Sequence, residues 1–119
     1  MTFDSPDPLP GIPLPITQPP RILVDADACP VKEEIYKVAY RRNVPVVLVS
    51  NARFRMPDHP LITRVVVSDS FDAADDWIVD HVGAGEIVVT TDIPLAARCI
   101  KKEAFVLSPT GHVFTEENI

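Results

Sequence analysis

The sequence is short of cysteine, of basic charge and of long apolar runs, and each shortage excludes a class of protein. Cys29 and Cys99 are the only cysteines in 119 residues. They form neither a C-x-x-C pair nor a spaced zinc pattern. Two thiols in such a chain point to a reducing cytosol rather than a disulfide scaffold, so a cytoplasmic location is expected. Lysine and arginine number 11 against 17 aspartates and glutamates, for a net charge of −6. That balance argues against a broad basic face for non-specific nucleic-acid binding, although a bound cation would reverse the sign of an acidic site locally. No apolar run approaches the roughly 18 residues that a membrane span needs. The N-terminus lacks the basic start and apolar stretch of a secretory signal, so no membrane partner is expected.

What is present is an apolar chain with one odd end. Hydrophobic residues make up 46% of the sequence, enough for one domain with a real core. Residues 1–20 hold seven prolines. Proline fixes φ and removes a donor, so this stretch is expected to be an extended, disordered arm, with a proline-rich recognition peptide as the alternative. The ordered domain is expected to span residues 21–119.

Its pattern alternates. Ile22-Leu23-Val24, ending in Asp25, reads as a buried strand. A helix from about Pro30 follows, with Val31, Ile35, Val38 and Ala39 as its apolar face. Arg41 and Arg42 suit its C-terminal dipole, and Asn43 ends it. Further strands are expected at 46–49, 64–67, 87–89 and 105–107, with a short one at 112–114. Residues 51–61 form a loop. Helices are expected at about 71–82, stopped by Gly83 and Gly85, and at 93–102. Thr115 reads as the N-cap of one more helix. The fold class is therefore α/β, a mostly parallel central sheet with helices on both faces.

Ligands of such sheets bind beyond the carboxyl ends of the strands, and there the chain places acids. Strand one ends in Asp25, with Asp27 two residues on, and strand four ends in Asp92. Each precedes a helix N-terminus, which favours negative charge. Helix capping explains one such aspartate; the set points to a site. In the helix 71–82, Phe71, Ile78 and Val82 define a stripe that contains Asp75, and a buried carboxylate needs a partner or a metal. Asp72 either caps that helix or reaches the same site. Asp76 and Asp80 read as a solvated face. Carboxylates without histidine or cysteine partners suit Mg²⁺ or Mn²⁺, ions that polarise phosphoryl oxygens and activate water. Phosphodiester hydrolysis is the first expectation.

Asp25-Ala-Asp-Ala-Cys-Pro30, Phe71-Asp-Ala-Ala-Asp75, Val89-Thr-Thr-Asp-Ile-Pro-Leu-Ala96 and Thr115-Glu-Glu-Asn-Ile119 together resemble the YaiI/YqxD family, uncharacterised bacterial proteins with a PIN-like fold. The resemblance covers about residues 21–119. It implies a three-layer PIN-like sheet with strands one and four adjacent at the centre, and the acidic, metal-dependent nuclease site of PIN domains. By that likeness Asp25, Asp75 and Asp92 match the acidic positions, and Asp27 and Asp72 match aspartates particular to the family. The metal set would be Asp25, Asp72, Asp75 and Asp92, and the catalytic set Asp25, Asp27, Asp75 and Asp92. The family usually runs on past the Glu-Asn-Ile motif with helical sequence absent here, and the proline-rich arm is unusual for it.

Asn51 and Arg55, with Arg53, stand in the 51–61 loop as candidate substrate ligands, since arginine suits bidentate phosphate contact. Nucleic acid is the expected partner, RNA before DNA, with a protein partner or a homodimer also open. Cys29 is expected to pack rather than react, and His59, His81 and His112 to lie at the surface. Two alternatives stand. One is a haloacid-dehalogenase-type phosphatase, because Asp25-Ala-Asp27 resembles its D-x-D signature and Ser50 its strand-two hydroxyl; Lys101 and Lys102 then fall in the wrong order. The other is a non-catalytic protein- or RNA-binding module with a degenerate site.

Overall fold

The computed structural model describes residues 20–29, 32–53 and 55–119. Residues 1–19 of the expected arm at 1–20, and the helix-start residues Pro30 and Val31, lie outside them. Among the described residues there are six strands, β1 (Ile22–Asp25), β2 (Val46–Ser50), β3 (Ile62–Val66), β4 (Ile87–Val89), β5 (Phe105–Leu107) and β6 (Val113–Phe114), and three α-helices, α1 (Lys32–Arg42), α2 (Ala73–His81) and α3 (Ile93–Lys101). The sheet order is β3-β2-β1-β4-β5-β6. All neighbours are parallel except the final β5–β6 pair.

The central strands are apolar on both faces because both faces are covered. Every residue of β1 and β2 is buried. One face carries α2 and α3: Leu23, Val47, Val49 and Val88 pack with Ile78, Leu95, Ala96 and Cys99. The other carries α1: Ile22, Val24, Val46 and Leu48 pack with Tyr36 and Ala39. Met56 and Leu61, from the segment joining β2 to β3, take the place of a second helix there. The result is a three-layer α/β sandwich, and β1 and β4 are neighbours at its centre.

Several local expectations need correction. Val38 is 40% exposed, and Tyr36 replaces it on the buried face of α1. On that side Val38 lines an apolar cleft with Ile22, Ile87 and Leu107. Phe71 is 94% exposed. Asp72 adopts φ 70°, a left-handed turn just before α2, which takes Phe71 out of phase with the helix. β3 begins at Ile62 rather than 64, because Ile62 is already in register with Val46. The end of the chain forms a turn and not a helix. The Asn118 side chain accepts from the Thr115 N–H (2.8 Å) and donates to the Val113 carbonyl (2.9 Å), which closes the segment on itself.

Candidate acidic site

The strand order reverses between β1 and β4: β2 and β3 lie on one side of β1, and β4, β5 and β6 on the other. The connections after β1 and β4 therefore diverge and leave a crevice at their carboxyl ends. Asp25 closes β1 there and is 7% exposed. Its Oδ2 accepts from Thr90 Oγ1 at 2.9 Å. Thr90 follows β4, is fully buried, and its Oγ1 accepts in turn from the Asp92 N–H at 3.0 Å. Asp92 caps α3 by accepting from the Leu95 N–H through Oδ1 at 2.9 Å. Asp92 is thus a helix cap and a member of the acidic group at once.

The β2 end repeats this device. Ser50 Oγ accepts from the Ala52 N–H at 3.0 Å and donates to Asp27 Oδ1 at 2.6 Å. Asp27 Oδ2 accepts from the Asn51 N–H at 3.1 Å. At each strand end a hydroxyl makes a tight turn with the N–H two residues on and gives its proton to a carboxylate of the β1–α1 segment. Asp27 has a donor on both oxygens, whereas Asp25 has one hydroxyl.

Asp75 enters from the first turn of α2. It is half-buried, and no described residue donates to it. Burial pushes its carboxyl up to about 6, and the charges of Asp92, Asp25 and Asp72 add to the rise, against a smaller opposing effect of Arg98. Asp25 is also raised, first by burial and further by Asp27 and Asp92, against the Thr90 hydrogen bond. The fold therefore gathers Asp25, Asp75 and Asp92 within electrostatic reach of one another, with Asp27 and Asp72 at the edges. Asp72 is exposed and makes no side-chain cap. Asp76 and Asp80 are exposed as expected, and Asp76 pairs with Arg98 at 3.0 Å.

Among the described residues no three His, Cys, Asp or Glu side chains are drawn into a ready-made metal cage. The donor chemistry nevertheless suits a hard cation, since every group is a carboxylate and their mutual repulsion is what a divalent ion would relieve. Asn51 and Arg55 are both exposed. Arg55 lies apart from the acids, lining a cleft with Lys32, Glu33, Tyr36, Met56 and Pro57. Sequence reasoning missed Thr90. Thr-x-Asp after an apolar run, a turn in which the hydroxyl accepts from the Asp N–H, was its signal. Cys29 is buried, consistent with packing. No helix among the described residues is long and apolar enough to cross a membrane.

Comparison with known proteins places these residues in a family. A UPF0178 protein of Sphingopyxis alaskensis is 64% identical over 100 residues, covering 84% of this chain and 65% of that protein. One from Rhodopseudomonas palustris is 58% identical over 99 residues, with 83% and 63% covered. One from Bradyrhizobium is 53% identical over 103 residues, with 87% and 63% covered. The chain thus spans less than two thirds of the length of these relatives. No solved structure matches it. The model of an uncharacterised bacterial family, YaiI/YqxD, matches residues 23–119, and the chain belongs to that family.

Proposed function

We propose that the acidic crevice is the site of a divalent-cation-dependent phosphodiesterase acting on nucleic acid, RNA before DNA. The observation that carries this reading is the coupling of Asp75, on α2, to Asp25 and Asp92 at two adjacent strand ends. Carboxylates from three separate elements crowd one crevice without enough donors to neutralise them, and perturbed carboxyls in a cleft mark functional sites.

Asp25, Asp75 and Asp92 would hold Mg²⁺ or Mn²⁺. When bound, the ion would polarise a phosphoryl oxygen and lower the pKa of a water. Thr90 fixes the orientation of Asp25 through the 2.9 Å hydrogen bond and ties it to the loop that carries Asp92. Asp75, raised to about 6, holds a proton in mildly acidic solution that a cation would displace. Asp27 is a positioning residue, because both of its oxygens brace the β2 end. The same engagement weighs against the phosphatase alternative, which needs Asp27 to deliver a proton.

The test is calorimetric titration of Mn²⁺ into wild type and Asp25→Asn, paired with cleavage of a single-stranded RNA. Wild type is expected to bind Mn²⁺ and to cleave only with it. Asp25→Asn is expected to weaken binding by about tenfold or more and to abolish cleavage. Identical metal responses in the two proteins would sink the reading.

A further inference from the structure

A second cleft opens on the α1 side of the same sheet edge. Its volume is about 380 Å³, and it is lined by Lys32, Glu33, Tyr36, Arg55, Met56 and Pro57. We propose that this cleft binds one nucleotide unit of a single-stranded nucleic acid, with its phosphodiester between Lys32 and Arg55 and its sugar and base against Tyr36, Met56 and Pro57. The inference rests on the phosphodiesterase reading for its choice of substrate.

The argument is one of size, charge and position. Small-ligand sites start at roughly 300 Å³ and combine an apolar wall with a few polar groups, and this cleft has both. Two cations and one carboxylate line it, so its formal charge of about +1 suits a single phosphate group and not a polyphosphate. This is an unusual patch on a chain of net charge −6. Lys32 stands in the first turn of α1, where the helix dipole disfavours a cation and favours an anion. A phosphate at that place reconciles the two. The Lys32 amine is held by donating to the Cys29 carbonyl at 2.9 Å. Arg55 is exposed and forms no ion pair with a described residue. Glu33 supplies an acceptor for a base amino group or a sugar hydroxyl. Tyr36 is 5% exposed, and burial, then the Glu33 charge, raises its phenol above the ordinary value, so it is a proton donor at working pH.

The two clefts share their connections: Asp25 and Asp27 precede α1, whose first turn carries Lys32, and Asp27 clamps the start of the loop that leads to Arg55.

The experiment titrates uridine monophosphate, uridine and inorganic phosphate into the 119-residue chain without divalent metal, so that the acidic crevice is silent. Uridine monophosphate is expected to bind, with uridine and phosphate each weaker by about tenfold. Arg55→Gln and Lys32→Met are each expected to lower its affinity by about tenfold, with Asp75→Asn unchanged. In RNA cleavage, Arg55→Gln is expected to raise KM and leave kcat unchanged. Equal binding of uridine monophosphate by wild type, Arg55→Gln and Lys32→Met would overturn the proposal. Phosphate binding as tight as the nucleotide would overturn it too, leaving a plain anion site. Nucleotide binding that needs Arg55 and Lys32, in a protein that never cleaves RNA with Mn²⁺, keeps this cleft and discards the hydrolytic reading. Cleavage that needs Asp25, with nucleotide binding indifferent to Arg55 and Lys32, does the reverse.

Discussion

Glu86 and Asp25 stand at opposite ends of the sheet, one just before β4 and the other closing β1, and the fold treats their carboxylates differently. Glu86 receives Arg21 Nε at 2.8 Å, Arg21 Nη2 at 2.8 Å, the Arg21 backbone N–H at 3.1 Å and the Gly83 N–H at 2.9 Å. Burial opposes its charge, yet these donors outweigh burial and hold it below the ordinary range. Asp25 receives one side-chain hydroxyl and Asp75 no described donor, and both are raised. Burial acts in the same direction at both ends; what differs is the supply of donors and positive charge. One end is electrostatically complete and serves stability. The other is left incomplete, and a ligand that brings positive charge would complete it.

The strongest way to break this contrast is to make the complete end incomplete. Arg21→Met removes the ion pair with Glu86 and the hydrogen bond from Nη2 to the His81 carbonyl. It leaves a half-buried carboxylate short of donors, at a cost of about 2 kcal/mol at pH 7. Glu86 has a lowered folded pKa, so its contribution is present above the unfolded value and is lost as pH falls through the folded one. Urea unfolding is expected to show the full gap at pH 7 and a shrinking gap in acid. A gap that persists unchanged when Glu86 is protonated would mean that the pair is not what closes this end.

The opposite change sharpens the contrast. Asp75 is raised from 3.8 to about 6, so the fold favours its protonated form. That contribution is complete below about pH 4 and is lost as pH rises through about 6. The full shift corresponds to at most about 3 kcal/mol, and solvent contact reduces it to about 1 kcal/mol. Asp75→Asn is therefore expected to be more stable than wild type by about 1 kcal/mol at pH 8, with no difference at pH 4, as read by thermal unfolding at the two pH values. Equal stability at pH 8 would show that the acids do not strain this end.

Much of this was legible from local pattern. Runs such as Ile22-Leu23-Val24 and Val46-Val47-Leu48-Val49 read as buried strands, and Asp25 at the end of the first, like Asp92 just past β4, follows from where the apolar runs stop. The two ends differ through contacts that local pattern does not encode. Arg21 and Glu86 are 65 residues apart, and neither belongs to a motif. Asp27 resembles Asp25 in sequence, and only the fold separates them by bringing Ser50 and Asn51 to one and Thr90 to the other. The burial expected of Phe71 failed because helical periodicity was extended through Asp72, whose left-handed backbone breaks it.

Asp72 also supplies the smallest and most discriminating test. Its φ of 70° lies where glycine is at ease and other residues are strained, and it is one of the charges that raise Asp75. Asp72→Gly relieves both, offset by the greater freedom of glycine in the unfolded chain, for a net gain of about 0.5 kcal/mol. Carboxyl NMR titration is expected to find Asp75 lowered toward the ordinary range but still above it, because burial and the charges of Asp92 and Asp25 remain. Mn²⁺ affinity then decides where the incomplete end stops. Asp72 is exposed and contributes less to the rise of Asp75 than Asp92 or Asp25 does, so its loss is expected to weaken Mn²⁺ by less than about threefold, against about tenfold for Asp75→Asn. A loss equal to that of Asp75→Asn would place Asp72 within the set that holds the ion and extend the site from the strand ends onto the turn that starts α2.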